Sequence, residues 1–419
     1  MARTQLTEKL NRLKKHLGES SAAVSVSMLK SKPKIPSRDL DFAEALGGKL
    51  VTNKAGNYCL IRTIFPIGYR HGSHQLTASE INSPLPLAAF DVSCNGETID
   101  FGSVLFIDTE TTGLGGAGAV AFLIGVGRII DEGFEVLQYI IPDYSDETAM
   151  LEDVNSIFSD DLTVVTFNGK SFDLPLLTDR LIINRVGRKL SFKHHLDLLH
   201  SSRRLFKRRL QSCTLTNLER ELFDFHRTDD IPGYLVPSVY FDWLNSEDLS
   251  MMNTVIEHNR LDIVSLFFLA RLIAEAYSTT GDSLKYSEDL HSLSKWYDRR
   301  REREKIEVVY SQAERLSENM SAEAVLFYAR SFKRLRKFDE SIELLFKLTL
   351  ENSKHGFLAN IDLAVHYEHR LKDLHKALEH TAQAGRCQEI PAGQKVKLRK
   401  RVERLKLKLK KSKLTAGKF

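Results

Sequence analysis

At 419 residues the chain is longer than one ordinary core serves, so two or more domains are expected. Hydrophobic content of 42% and charged content of 27% read as soluble and globular, and no apolar run reaches membrane-spanning length. The net charge of +5 conceals a segment, Gln394 to Lys413, with eleven basic residues and one acid, Glu403, which leaves the remainder at −5.

In chain order, Leu6, Leu10, Leu13 and Leu17 recur at helical spacing and predict a short amphipathic helix. The charge carried throughout Met1 to Glu19 argues against a secretory signal. Ser20 to Ser37, rich in Ser, Lys and Pro, reads as a linker. Asn57 to Phe101 holds strand-like stretches broken by Pro66, Gly68, Gly72, Pro84 and Pro86, and reads as a lead-in layer. Strands are expected at Val104–Asp108, Phe122–Ile130 and Phe134–Ile141, the last two forming an antiparallel hairpin at Asp131-Glu132-Gly133. A helix over Glu147–Phe158, a strand over Leu162–Phe167, a helix over Ser171–Arg185 and a fifth strand over His195–Leu199 follow. Three meandering strands followed by alternating helix and strand is the order of an α/β ribonuclease H-like fold, a mixed five-stranded sheet with flanking helices.

From about Glu304 the pattern is all-helical. Ser321 to Asn352 and Phe357 to Gly385 read as two copies of a helix pair. Ala329 answers Ala364, and Ser341-Ile-Glu-Leu344 answers Ala377-Leu-Glu-His380, at an offset of 35–36 residues. Tetratricopeptide repeats run about 34 residues; a helical bundle without repeat ancestry is the alternative. Leu398, Val402, Leu405 and Leu409 mark one apolar face of a basic terminal helix. The expected divisions are 1–56 (helix and linker), 57–300 (ribonuclease H-like), 301–390 (helical repeats) and 391–419 (basic tail).

Chemistry concentrates in three motifs: Phe106-Ile-Asp-Thr-Glu-Thr-Thr-Gly-Leu114, Phe167-Asn-Gly-Lys-Ser-Phe-Asp-Leu-Pro175 and His258-Asn-Arg-Leu-Asp262. Asp108 and Glu110 are two apart, so on a strand both face one side. Asp173 opens a helix after a strand and an Asn-Gly turn. His258 and Asp262 are four apart, one turn apart on a helix face. Four carboxylates suit two hard divalent ions, Mg2+ or Mn2+, held about 3.5–4 Å apart to stabilise the attacking and leaving oxygens of a phosphodiester. An imidazole titrates near neutral pH and suits the proton of the attacking water. Asn168, Thr109 and Leu114 are candidate substrate contacts; Asn168 serves equally well as a loop hydrogen bonder. Phe172 reads as a core residue rather than a base-stacking one.

Several patterns admit other readings. Gly113-Leu-Gly115-Gly-Ala-Gly118 fits a dinucleotide fingerprint, but that needs a helix to begin there. An apolar strand is expected instead. His194, His195, Asp197 and His200 are explained by a buried strand with polar ends rather than a second metal site. The run Arg203, Arg204, Lys207, Arg208, Arg209 is either a solvated helix face or a phosphate-contact surface. Arg299 to Lys305 includes Glu302 and Glu304 and reads as helix ion pairs or a linker. Cys59, Cys94, Cys213 and Cys387 form no CxxC pair, which fits a reducing cytoplasm.

These motifs resemble the DEDD superfamily of 3′–5′ exonucleases. Asn168-Gly-x-x-Phe-Asp-x-Pro175 is similar to the proofreading domains of family B DNA polymerases. The whole order resembles the bacterial YprB-like family, also called mitomycin repair factor B, in which such a domain precedes tetratricopeptide repeats. Asp230-Ile-Pro-Gly-Tyr234 through His258-Asn-Arg-Leu-Asp-Ile-Val-Ser-Leu266 shares the likeness, which covers about Tyr58 to Gly385. The resemblance implies that Asp108, Glu110, Asp173 and Asp262 bind two divalent metals and that His258 is the general base. It also implies action on nucleic acid, DNA before RNA, in repair, with a repair helicase as a protein partner for the repeats and no membrane. The histidine stands at H-x3-D, the spacing that the tyrosine branch of the superfamily uses. An RNA-processing nuclease and a non-catalytic adaptor built on the helical repeats are the rival functions.

Overall fold

The computed structural model describes residues 37–94, 96–113, 118–317 and 320–416. The expected helix at Leu6–Leu17, nearly all of the expected linker, and Leu114 lie outside the described residues. The central sheet contains β1 (Lys49–Asn53), β2 (Gly56–Pro66), β7 (Val104–Thr111), β8 (Ala121–Ile130), β9 (Gly133–Ile140), β10 (Thr163–Thr166) and β11 (His194–Asp197). Two short ribbons, β3–β4 (Arg70–His71, His74–Gln75) and β5–β6 (Leu85–Pro86, Thr98–Ile99), lie outside it.

The sheet order is β1-β2-β9-β8-β7-β10-β11. Pairing is antiparallel from β1 to β7 and parallel through β7, β10 and β11. The five expected strands are present, but the sheet has seven. β1 lies before the expected boundary at residue 57, and β2 within the lead-in layer. Of the prolines and glycines that break that stretch, Pro66 ends β2 and the others follow it. Ala121–Ile130 is a strand, so no helix follows the glycines of the dinucleotide-like motif. The β8–β9 hairpin closes at Ile130↔Gly133, with Gly133 at φ 146. A Cβ there would meet the Phe65 carbonyl oxygen at 2.2 Å.

On β7, side chains alternate between two apolar clusters. Val104 and Phe106 belong to one, Leu105 and Ile107 to the other. Asp108 and Glu110 therefore share the side of Phe106, which faces the long helix Met252–Ser278. That helix comes close because β8 carries glycines. A Cβ on Gly125 would stand 2.3 Å from Asn259 Oδ1, and one on Gly127 would stand 2.5 Å from Ile263 Cγ2. Gly125→Ala is therefore expected to cost about 1–3 kcal/mol by overpacking. Gly233→Ala, where nothing lies within 4 Å, should stay within about 0.5 kcal/mol. Urea unfolding of both variants checks this.

Beyond the sheet, seven helices run from Ser287–Arg300 to Gln394–Ala416 among the described residues. Ala322–Arg334 packs against Phe338–Leu348, and Lys354–His366 against Leu374–Arg386, as two consecutive pairs. One apolar cluster is continuous from Leu76 under the sheet to Leu405 in the last helix. Three residues of the basic run are spent on this junction, while Arg203 and Lys207 stay exposed. Arg204 donates to the Ala89 carbonyl at 2.8 Å and stacks 3.5 Å over Trp296. Arg208 grips Glu323 with two bonds of 2.8 Å, and Arg209 binds Asp289 at 2.9 Å. The run therefore ties the sheet domain to the helices, a third role beside the two expected ones. Arg300 and Lys305 both pair with Glu302, as the mixed charges of that stretch predicted. No described helix is long and apolar enough to cross a membrane.

Candidate active site

The site forms where the C-terminal end of β7, the start of the helix Asp173–Ile183 and the long helix meet. Asp108 pairs with Gly125 on β8, and Gly125 pairs with Gln138 on β9. Asn259 lies across this row. It accepts from Gln138 Nε2 at 2.9 Å and donates to Asp108 Oδ2 at 2.9 Å. Gln138 also donates to the Ile256 carbonyl at 2.8 Å. The register of β7 against the long helix is thus set by a buried amide pair. The pairing of β7 with β8 shifts between Glu110 and Thr111, which ends the regular ladder at the acids.

Asp173 is delivered by a tight turn. Asn168 adopts the left-handed region at φ 67, which Asn tolerates. A Cβ at Gly169 would meet Thr166 at 2.5 Å. Asp197 clamps the loop by accepting from the backbone N–H of Asn168 at 2.9 Å and of Lys170 at 3.2 Å. It also caps the next helix by accepting from Leu199 at 3.1 Å. Thr109 donates to Asp173 Oδ1 at 2.6 Å. Phe172, read as a core residue, is instead 54% exposed beside Asp173. It stands at the N-cap of the helix Asp173–Ile183, whose buried apolar face begins only at Leu174, and its ring is left exposed.

The four carboxylates lie within each other's electrostatic reach. Burial pushes the Asp108 carboxyl well above the usual range, and the charges of Asp262 and Asp173 push it further. Glu110 is raised well above its ordinary value by burial, then by Asp108, Asp262 and Asp173. Asp173 is pushed up to about 6 by burial, against the Thr109 bond that favours its charged form. Such a cluster is electrostatically strained without a cation.

His258 and Asp262 stand on one face of the long helix, with Nε2 3.8 Å from Asp262 Oδ2. His258 Nδ1 is 2.6 Å from Asp230 Oδ1. A carboxylate only accepts, so Nδ1 carries the proton, and the tautomer this bond selects has Nε2 as the acceptor. Arg227 Nη1, 3.4 Å from Nδ1, then faces a donor and makes no bond with it. The Arg227 guanidinium binds Asp262 Oδ1 through Nη2, and Glu219 through Nη2 at 2.5 Å and Nε at 2.8 Å. Burial alone would lower the Arg227 pKa, but Asp262 and Glu219 outweigh it and raise it. Glu219 also accepts from Ser265 Oγ, which lies 2.9 Å from His71 Nε2. Burial pushes His71 down to about 3, so it is neutral.

As they stand, no three His, Cys, Asp or Glu side chains among the described residues are arranged to hold an ion. Asp262 turns Oδ1 to Arg227, Asp108 turns Oδ2 to Asn259, and Asp173 turns Oδ1 to Thr109. Each aspartate is oriented through one oxygen. Glu110 accepts no hydrogen bond among the described residues. The donor chemistry fits a hard divalent cation: oxygens only, with repulsion that such an ion relieves.

Asp108, Glu110, Asp173, Asp262 and His258 are brought together, with Thr109 behind Asp173. Asn168 belongs to the clamped loop, and its backbone makes the only hydrogen bonds it has among the described residues. The other histidines are engaged elsewhere. His195 Nε2 lies 2.8 Å from Thr166 Oγ1, and His194 Nε2 3.6 Å from Glu97. Sequence reasoning missed Asp230, Arg227, Glu219, Asn259 and Gln138. The available signals were a polar residue within the buried strand β9 and an Asn adjoining His258.

Comparison with known proteins agrees with this fold. Residues 105–274, which include all four acids, match the RNase_H_2 model of the RNase_H superfamily, so this domain is of the ribonuclease H-like nuclease class. The chain is 30% identical over 388 residues to the Bacillus subtilis (strain 168) protein YprB, itself uncharacterized, covering 89% of this chain and 92% of that one. It belongs to the YprB family. The family B DNA polymerase from the hyperthermophilic archaeon Pyrobaculum calidifontis aligns over 46% of this chain and 28% of its own length, at 18% identity and a TM-score of 0.32.

Proposed function

We propose that this chain is a divalent-metal-dependent 3′–5′ exonuclease that hydrolyses phosphodiester bonds in DNA, in the service of DNA repair. The observation that carries the reading is the set of four mutually repelling carboxylates beside a histidine whose proton position is dictated by Asp230. Asp108, Glu110, Asp173 and Asp262 would hold two divalent cations, Mg2+ or Mn2+. When bound, these supply Lewis-acid stabilisation of the attacking and leaving oxygens. His258 Nε2 accepts the proton of the attacking water, and Asp230 stabilises the imidazolium through Nδ1–H. Thr109 holds Asp173 in place. The exposed ring of Phe172 offers a stacking face to the terminal base, beside the loop of Asn168. The contacts are to phosphate and to base faces rather than base edges, so sequence preference is low. The four free cysteines suit a cytoplasmic protein. The tetratricopeptide-like helix pairs offer a surface for a protein partner such as a repair helicase.

The test is digestion of end-labelled DNA with Mg2+ or Mn2+, with labelled RNA as competitor, by wild type and by Asp262→Ala. Wild type is expected to shorten the DNA from its 3′ end and to stop in EDTA. The variant should lose at least about a hundredfold in rate, on the scale of losing a key electrostatic group. Equal digestion by the variant would defeat the assignment, and preferential RNA loss would redirect it to RNA processing.

A further inference from the structure

We propose that one solvent-exposed flank of the terminal helix is a second nucleic-acid contact, gripping the sugar–phosphate backbone through Lys395, Arg399, Lys406 and Lys410. The helix Gln394–Ala416 is docked along an adjoining apolar ridge. Leu405 is fully buried, and Leu398, Val402 and Leu409 are partly so. Glu368, 3% exposed, accepts from Arg401 at 3.2 Å, Arg404 at 2.7 Å and Lys408 at 2.8 Å. This anchors the helix with three cations on one acid, so docking leaves it strongly positive.

The four proposed contacts are all exposed, and none makes an ion pair among the described residues. Their spacing of i, i+4, i+11 and i+15 places them in one stripe along the helix. At 1.5 Å per residue the stripe spans about 22 Å. One strand of DNA carries a phosphate about every 3.4 Å, so the stripe matches a run of about six. Glu403, the only acid of the segment, lies beside the stripe and pairs with none of the four. The ridge of Leu398, Val402, Leu405 and Leu409 is taken up by docking, and the exposed Val396 and Leu407 are isolated among cations, which disfavours insertion into a lipid surface. The partner class rests on the proposed nuclease reading, but the contact itself requires no hydrolysis.

The experiment uses the full chain in EDTA, with fluorescent duplex DNA and binding followed by anisotropy between about 50 and 200 mM salt. The quadruple variant Lys395→Gln/Arg399→Gln/Lys406→Gln/Lys410→Gln should make the log–log salt slope shallower by about 3–4, since each phosphate contact contributes about 0.9. A control changing the exposed Lys54, Lys189, Lys285 and Lys372 to Gln removes the same net charge and should leave the slope in place. Circular-dichroism melting confirms that both fold. An unchanged slope in the stripe variant, or equal change in both variants, overturns the proposal. So does stripe-dependent binding to phosphatidylserine vesicles with no effect on DNA. Because binding is read in EDTA, the slope tests the contact alone, while digestion with Mn2+ tests the nuclease reading, so the two can fail separately.

Discussion

Asp173→Asn is expected to stabilise the metal-free protein at neutral pH while abolishing hydrolysis. The sign follows from linkage. The folded-state pKa of Asp173 is raised from 3.8 to about 6. The folded state therefore binds that proton more tightly than the unfolded chain does. The resulting stability is fully present below pH 3.8 and is lost as pH rises through about 6. A difference of about two units corresponds to about 3 kcal/mol. Asparagine is neutral throughout and still accepts from Thr109 through its carbonyl oxygen, so it escapes this loss. Urea unfolding in EDTA across pH 4–8 reads the result, as a variant-minus-wild-type difference that grows between about pH 4 and 6. Added Mn2+ should reverse the order, stabilising wild type and leaving the variant unmoved. A variant less stable than wild type at pH 7 without metal would show that Asp173 is a structural acid.

Local periodicity made much of this arrangement legible. Strand alternation after Val104-Leu-Phe-Ile107 put Asp108 and Glu110 on one face, and the helical turn put His258 beside Asp262. The strand–Asn-Gly–helix order placed Asp173 at a helix start. What local pattern could not supply was contact between distant segments. Arg227 and Asp230 lie 35 and 28 residues from their partners Asp262 and His258, in a loop with no periodicity. The same limit hid the role of the Arg203–Arg209 run, whose partners Ala89, Asp289 and Glu323 come from far along the chain. Edge strand β1 was missed because none of its positions is buried, and period-two reading needs a buried face, whereas β2 was read only as part of the lead-in layer. Phe172 was misread for the opposite reason: an aromatic beside an apolar helix looks like core until the helix start turns it outward.

Arg227→Gln is the second change with a large expected effect, and it should fall on stability before chemistry. The Arg227 side chain is 4% exposed and the Glu219 side chain 0%. Removing the cation leaves Glu219 buried without its counter-charge and frees Asp262 and Asp230 to repel one another. Breaking a buried pair in this way costs about 3–5 kcal/mol. Lysine should not restore it, because one ammonium cannot reproduce the fork that reaches Glu219 through two nitrogens and Asp262 at once. The double variant Arg227→Gln/Glu219→Gln should recover stability over the single one, with a coupling energy of at least about 1 kcal/mol from the cycle. Urea unfolding of the two singles and the double provides the measurement. Additive losses, or an Arg227→Gln protein within about 0.5 kcal/mol of wild type, would mean that the network does not hold the loop to the helix. Recovery of stability in the double variant without recovery of hydrolysis would assign Arg227 a further part: orienting Asp262 through Oδ1, so that Oδ2 faces the reacting centre.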